Sequence, residues 1–246
     1  IIGISATFCF YLISEEKKYW FIPILLIMFV VILLTGSRQA LLFILLNIII
    51  ILYLRSKNKR ITNKISFFIL SIFIVIICFY TVLNVPILYQ IIGIRLENIL
   101  NFVIGEGSNE SSLNTRAFML QFGIQLFKER PLFGYGIDNY RHLLGQLLIG
   151  NETYAHNNFI ELLVGVGLIG ASLFYYIILF TIKKLFILSR KYNQFTFGNP
   201  FLALLISYTV LTISSVYYYN KHFNIILGIG SIIGMIYQNE KKLRNI

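Results

Sequence analysis

Charge is scarce in this chain. Asp, Glu, Lys and Arg make up 13% of its 246 residues while 57% are hydrophobic. A soluble domain carries about 25% charge, so a water-soluble fold around one core is excluded and an all-α integral membrane protein is expected. Acids are scarcer still: 10 against 21 Lys and Arg, for a net charge of +11. The basic residues are spread over short loops between apolar runs, with no basic face and no nucleic-acid motif, which excludes a nucleic-acid partner. Retention of loops on one side of a bilayer explains them better. Cysteine is nearly absent. Cys9 and Cys78 sit inside apolar runs without a motif partner, which leaves them as small hydrophobes. No Cys, His, Asp or Glu cluster has metal-ligand spacing, there is no internal repeat, and no signal peptide is recognisable.

What is there is a series of apolar runs. Residues 1–13 are too short to span a bilayer, which takes about 20 residues, so they read as the cut remnant of a first helix and the chain as a C-terminal portion. Runs follow at 20–35 and 40–54, separated by Gly36-Ser37-Arg38-Gln39. The segment 55–64 holds Arg55, Lys57, Lys59, Arg60 and Lys64 and no acid, which makes it cytoplasmic. Alternation then sends 65–84 outward, leaves 85–156 outside and returns the chain at 159–182. It goes out again at 201–219 and back at 223–237. Lys183, Lys184, Arg190, Lys191, Lys241, Lys242 and Arg244 fall on the cytoplasmic side. The expectation is about seven spans, with membrane helices in 1–84 and 157–246 and one large extracytoplasmic helical loop at 85–156.

That loop is not featureless. Ser111-Ser112-Leu113-Asn114 offers helix caps, and a surface helix is expected over about 113–128. Glu129-Arg130-Pro131 ends it, because the residue before proline avoids the helical region. A tight glycine turn over 132–140 and a short helix over 140–148 come next.

Three residues stand out chemically. Arg38, between two apolar runs, is costly unless paired or at the surface; its planar fork of donors suits phosphate oxygens. Arg116 lies in the first turns of the surface helix, near its positive end. His156 opens the long apolar run, and an imidazole with a pKa of about 6.5 is available as a free base at neutral pH. Asn157, Asn158 and Glu161 crowd the same entrance. Arg95 and Arg141 are weaker candidates, since Glu97 and Asp138 are near enough to pair with them. His142 and His222 lack such company. Gly165-Val166-Gly167-Leu168-Ile169-Gly170 matches a dinucleotide fingerprint literally, but lies inside an apolar run without the required strand. It reads as close helix packing through small residues, as does Gly230-Ser231-Ile232-Ile233-Gly234.

The ordered set resembles a known family. Gly36-Ser37-Arg38 lies between two spans. Arg116 starts a helix that ends in Arg130-Pro131-Leu132-Phe133-Gly134-Tyr135-Gly136. Ala155-His156-Asn157-Asn158-Phe159-Ile160-Glu161 and the 165–170 glycines follow. From about residue 34 to 179 this resembles the O-antigen ligase and polymerase family of Wzy-type membrane glycosyltransferases. The resemblance implies an architecture like that of the C-type glycosyltransferases and an active site facing outward from a bacterial cytoplasmic membrane. It implies an undecaprenyl-pyrophosphate-linked glycan as donor and neither cofactor nor metal. It maps the family's arginines and loop histidine onto Arg38, Arg116 and His156 as catalytic residues. The residues themselves add Arg95, Arg141, Asn157 and Glu161 as candidate substrate contacts, with Asn157 and Glu161 expected to hold the imidazole. Family members are usually longer, with about a dozen spans. Polymerisation of repeat units is the favoured reaction, with membrane lipid and a chain-length regulator as further partners. The lean towards Ile, Lys, Asn and Phe is compatible with an AT-rich Gram-positive genome, and such cells lack lipid A. Ligation to lipid A core, cell wall or protein is the alternative within the family. A glycan transporter is the alternative outside it, although a transporter would set its ionisable groups at mid-bilayer on broken helices.

Overall fold

The computed structural model describes residues 1–35, 37–55, 111–147, 152–192 and 197–243, with isolated positions 80, 84 and 90. Among them the secondary structure is entirely helical, in two compact units, 1–114 and 115–246. Arg95, most of the expected span at 65–84, and most of the basic segment 55–64 lie outside the described residues.

In the first unit, α1 (Ile2–Ser14) packs against both α2 (Ile22–Leu34) and α3 (Arg38–Arg55). A turn of 3-10 helix at Tyr19–Phe21 and a proline in the first turn of α2 start the second helix, where the missing proline N–H costs nothing. Ser37 starts the third: its Oγ accepts from the Ala40 amide at 3.3 Å. That makes Arg38 the first residue of α3. Ala6, Ile32 and Ile44 form the small core. The rest of α2 is apolar but uncovered, with Leu26, Ile27, Val30 and Leu34 more than half exposed. Water would penalise such a surface and lipid would not.

In the second unit, α4 (Ser111–Glu129) and α5 (Asn139–Leu147) precede the long α6 (Asn158–Lys191), then α7 (Gly198–Leu211) and α8 (Lys221–Leu243). The last three pack on one another. Ala171, Ile178, Thr181, Leu185 and Leu188 are buried along one face of α6, while Leu173, Tyr176, Ile177 and Phe180 are exposed on the other. This is the pattern of a helix with a protein side and a lipid side. Among the described residues α6 is the one helix long and apolar enough to cross a membrane by itself. Polar pairs tie the helices: Thr181 Oγ1 lies 3.0 Å from Ser231 Oγ, and Ser189 Oγ donates to Asn199 Oδ1 at 2.7 Å. Gly230 sets α8 against Leu205 and Leu185, the close approach that its small-residue motif predicts.

The helix α4 rests on α5 and on the first turns of α6. The Tyr140 hydroxyl donates to the Met119 carbonyl at 2.7 Å. A side chain at Gly123 would meet Ile160 at 2.2 Å, so only glycine allows α4 this close. Met119, Leu126, Tyr140, Leu144, Ile160 and Val164 make the core between them.

Gly167 breaks α6. Its φ of 65° and ψ of −171° are non-helical and lie in a region essentially closed to residues with a Cβ. A break frees two carbonyls before it and two amides after it. Here the segment 131–136 takes all four. The Tyr135 amide donates to the Val164 carbonyl at 2.8 Å and the Gly136 amide to the Gly165 carbonyl at 2.7 Å. The amides of Leu168 and Ile169 donate to the carbonyls of Pro131 and Leu132, at 2.8 and 3.4 Å. Gly134 lies at φ 67° against the Val164 carbonyl. The two glycine motifs are therefore halves of one joint. The expected helix-to-helix packing at Gly165 and Gly167 is corrected to the docking of a loop into a broken helix. Backbone of this kind is tolerated near a bilayer only where protein satisfies it.

Candidate functional site at the entrance of the long helix

Asn157 is the N-cap of α6. Its backbone is extended, and its Oδ1 accepts from the Ile160 amide at 3.0 Å while its Nδ2 donates to the Ile213 carbonyl at 3.1 Å. His156, just before it, has a φ of 53°. Few residues other than glycine adopt this region, histidine more readily than most. Glu161, 2% exposed, reaches back around this turn, and its Oε2 accepts from the Ala155 amide at 2.8 Å. The Tyr218 hydroxyl lies near the same carboxylate. Asn157 and Glu161 thus grip the backbone on either side of His156. The described hydrogen bonds of both go to backbone groups rather than to the imidazole they were expected to hold.

Asn158 is fully buried and ties the α7–α8 turn to this entrance. Its amide donates to the Thr212 carbonyl at 2.9 Å, its Oδ1 accepts from the amides of Tyr217 and Tyr218, both at 2.8 Å, and its Nδ2 donates to the Tyr175 hydroxyl at 3.0 Å. Every polar group of the side chain has a use, as a buried amide requires.

The imidazole of His156 is stacked at a tilt on Tyr154, with ring centroids 4.2 Å apart. Burial holds its pKa below the ordinary 6.5, and the nearby Arg116 guanidinium lowers it further. Two residues 40 positions apart in sequence are thus close enough to sense one another. Among the described residues no carboxylate pairs with Arg116, so its charge faces an imidazole kept neutral beside it. Arg141 is in a different state: it forms an exposed ion pair with Asp138, as the spacing suggests. His142 has company after all, with Nδ1 2.9 Å from Glu152 Oε1.

Beside His156 lies a cavity of about 560 Å³, between the start of α5, the chain leading into α6 and the α7–α8 turn. Tyr154, Tyr218 and Tyr219 line it, together with the carboxylates of Asp138, Glu152 and Glu161 and the guanidinium of Arg141. Burial pushes the Tyr218 and Tyr219 hydroxyls up, with Glu161 adding to the effect. Their phenols stay protonated as donors. Sequence reasoning singled out Arg141 and Glu161 but missed the tyrosines. The run Tyr217-Tyr218-Tyr219-Asn220 between two apolar stretches was the available signal. Among the described residues no group of His, Cys, Asp and Glu has the geometry to hold a metal ion.

The unit is polarised. Arg116, His156 and the cavity gather where α6 begins, and Lys183, Lys184, Arg190 and Lys191 lie where it ends. Tyr192, past that end, packs on Tyr237 of α8 with centroids 5.2 Å apart, so the last turns of α8 share the basic end. No curated protein gives a significant match to the chain. The family model described as O-antigen ligase matches residues 23–175, a range that takes in the start of α3, the helix carrying Arg116, the docked loop, the His156 turn and the break in α6. With more than half of its length matched, the chain belongs to the O-antigen ligase family.

Proposed function

We propose that the protein polymerises lipid-linked oligosaccharide repeat units into surface polysaccharide at the outer face of the cytoplasmic membrane. The family's members are membrane proteins acting on lipid-linked glycans. The reading is carried by one observation: an arginine without a carboxylate partner among the described residues beside an imidazole held neutral, at the end of the second unit away from its basic cluster. The positive-inside rule puts that basic end in the cytoplasm. The site then faces outward, in a multi-pass protein of about seven spans with an architecture like that of the C-type glycosyltransferases.

In the proposed reaction an acceptor sugar hydroxyl attacks the anomeric carbon of the donor glycan. The bond from that carbon to the undecaprenyl diphosphate breaks, and the configuration inverts. His156 takes the hydroxyl proton as the new bond forms. Arg116 neutralises the charge that grows on the leaving diphosphate, where a fixed cation in a poorly solvated site is most effective. Arg38, at the start of α3, is proposed as a further diphosphate ligand on the family resemblance alone. Asn157 and Glu161 are positioning residues for the His156 turn. The chemistry needs no cofactor.

Elongation of a lipid-linked oligosaccharide by the purified protein with EDTA present tests this reading. A ladder of products is expected, lost in His156→Ala and in Arg116→Ala while both variants remain in the membrane. Wild-type chain growth by His156→Ala overturns the assignment of the base. The description of the matched family favours a second reading, ligation of a finished glycan to a separate acceptor. Ligation gives a single transfer to the added acceptor and no ladder.

A further inference from the structure

The cavity beside His156 has no part in the bond-breaking step, yet it is a built feature. Its volume of about 560 Å³ lies within the roughly 300–1,000 Å³ usual for small-molecule sites. Its walls come from three separate segments held together by named bonds. Asn158 fixes the Tyr217 and Tyr218 amides. Asn224 Nδ2 donates to the Tyr218 carbonyl at 3.0 Å. Glu161 takes the Ala155 amide and lines the cavity together with Tyr218.

We propose that this cavity, floored by Tyr154, Tyr218 and Tyr219, is a binding subsite for a neutral pyranose and discriminates against uronic-acid residues. The inference rests on the proposed transfer reaction for the source of the sugar, a residue of the lipid-linked glycan.

Two features choose the ligand class. Tyrosine rings offer apolar faces to the C–H faces of a pyranose, with hydroxyls at their edges. Carboxylates are acceptors with several lone pairs each and suit a ring of hydroxyl donors. Charge sets the discrimination. Asp138, Glu152 and Glu161 are the acids lining the cavity, and the one lining guanidinium, Arg141, is already paired with Asp138. His142 faces Glu152 from outside the lining. A sugar carboxylate entering here meets like charge and no uncommitted cation among the described lining residues, a repulsion that excludes the wrong ligand. Position matters too. Tyr154 lines the cavity and packs on His156, so a pyranose held there lies against the imidazole's immediate neighbour. The subsite therefore selects which sugar reaches the base.

The test uses the purified protein in lipid nanodiscs and saturation-transfer NMR. The probes are the methyl glycosides of glucose, N-acetylglucosamine and glucuronic acid. Saturable binding of the two neutral glycosides is expected, with the glucuronide weaker by about tenfold. Tyr219 is exposed, so Tyr219→Ala leaves the fold intact, checked by melting, and weakens the neutral glycosides by about tenfold, the effect of losing one stacking platform. Glu152→Gln narrows the gap between neutral and acidic glycosides. Equal binding of the glucuronide, unchanged binding in Tyr219→Ala, or no binding of any glycoside overturns the proposal. Binding is read without turnover, so the two readings fail separately. His156→Ala with normal transfer sinks the base assignment and leaves the subsite standing. Loss of transfer in His156→Ala with no discrimination at the cavity does the reverse.

Discussion

Glu161 accepts a hydrogen bond from the backbone amide of Ala155 at 2.8 Å, across the turn that presents His156. The acid is 2% exposed and its bond goes to a backbone group, so it acts on the imidazole through the shape of the chain. Glu161→Ala leaves a buried amide unpaired, at a cost of about 1–3 kcal/mol, and frees the turn. The expected outcome is a lower melting temperature and loss of transfer. Glu161→Gln keeps an acceptor at the same place and restores both in large part. A Glu161→Gln variant that folds normally yet transfers nothing would show that the carboxylate itself takes part.

Arg116 lowers the pKa of His156, as burial does. Protonation is thus disfavoured in the folded protein, and the free base persists to a pH below the ordinary 6.5. Arg116→Gln removes the cationic contribution and leaves the burial. The midpoint for His156, followed by NMR with His142 and His222 replaced, is expected to rise towards 6.5 and to remain below it. A midpoint unmoved by Arg116→Gln places the two side chains out of reach of each other.

Gly167→Ala puts a Cβ within 2.2 Å of the Leu132 carbonyl oxygen at a φ of 65°. Backbone strain alone costs of order 1–3 kcal/mol, and the docked loop has to move as well. Low accumulation in the membrane and a reduced melting temperature are expected. Gly228→Ala is the control, since nothing lies within 4 Å of a Cβ there. Similar melting of the two variants argues against the joint.

Topology is checked by labelling single cysteines in a background lacking Cys9 and Cys78. Tyr219→Cys is expected to react with an impermeant reagent in intact cells, and Lys191→Cys only after permeabilisation. The opposite pattern removes the outward-facing site.

Local signals carried the elements well. The caps and Glu129-Arg130-Pro131 gave a helix over 113–128 where α4 runs Ser111–Glu129, and 140–148 where α5 runs Asn139–Leu147. The apolar run at 201–219 hid a turn: α7 ends at Leu211, because Ile213, Val216 and the tyrosines stay hydrophobic through a segment whose backbone is no longer helical. The site was legible in its residues and not in its contacts. His156 and Arg116 were readable because their chemistry is rare in such a chain. The Tyr218 contribution was not, since the amide that fixes it bonds to Asn158, 60 positions away. The break at Gly167 was equally hidden. A glycine that lets helices touch and a glycine that lets a helix end look the same until the partner at 131–136 is known.

The joint in α6 has a consequence for how the protein is made. Residues 131–136 leave the ribosome before 164–169, so the strip of backbone that completes the broken helix already exists when the break is synthesised. In the proposed topology it must also cross the bilayer before it can dock. The spanning helix can thus settle as it emerges, and export of the preceding loop becomes a step on which the folding of everything after it depends.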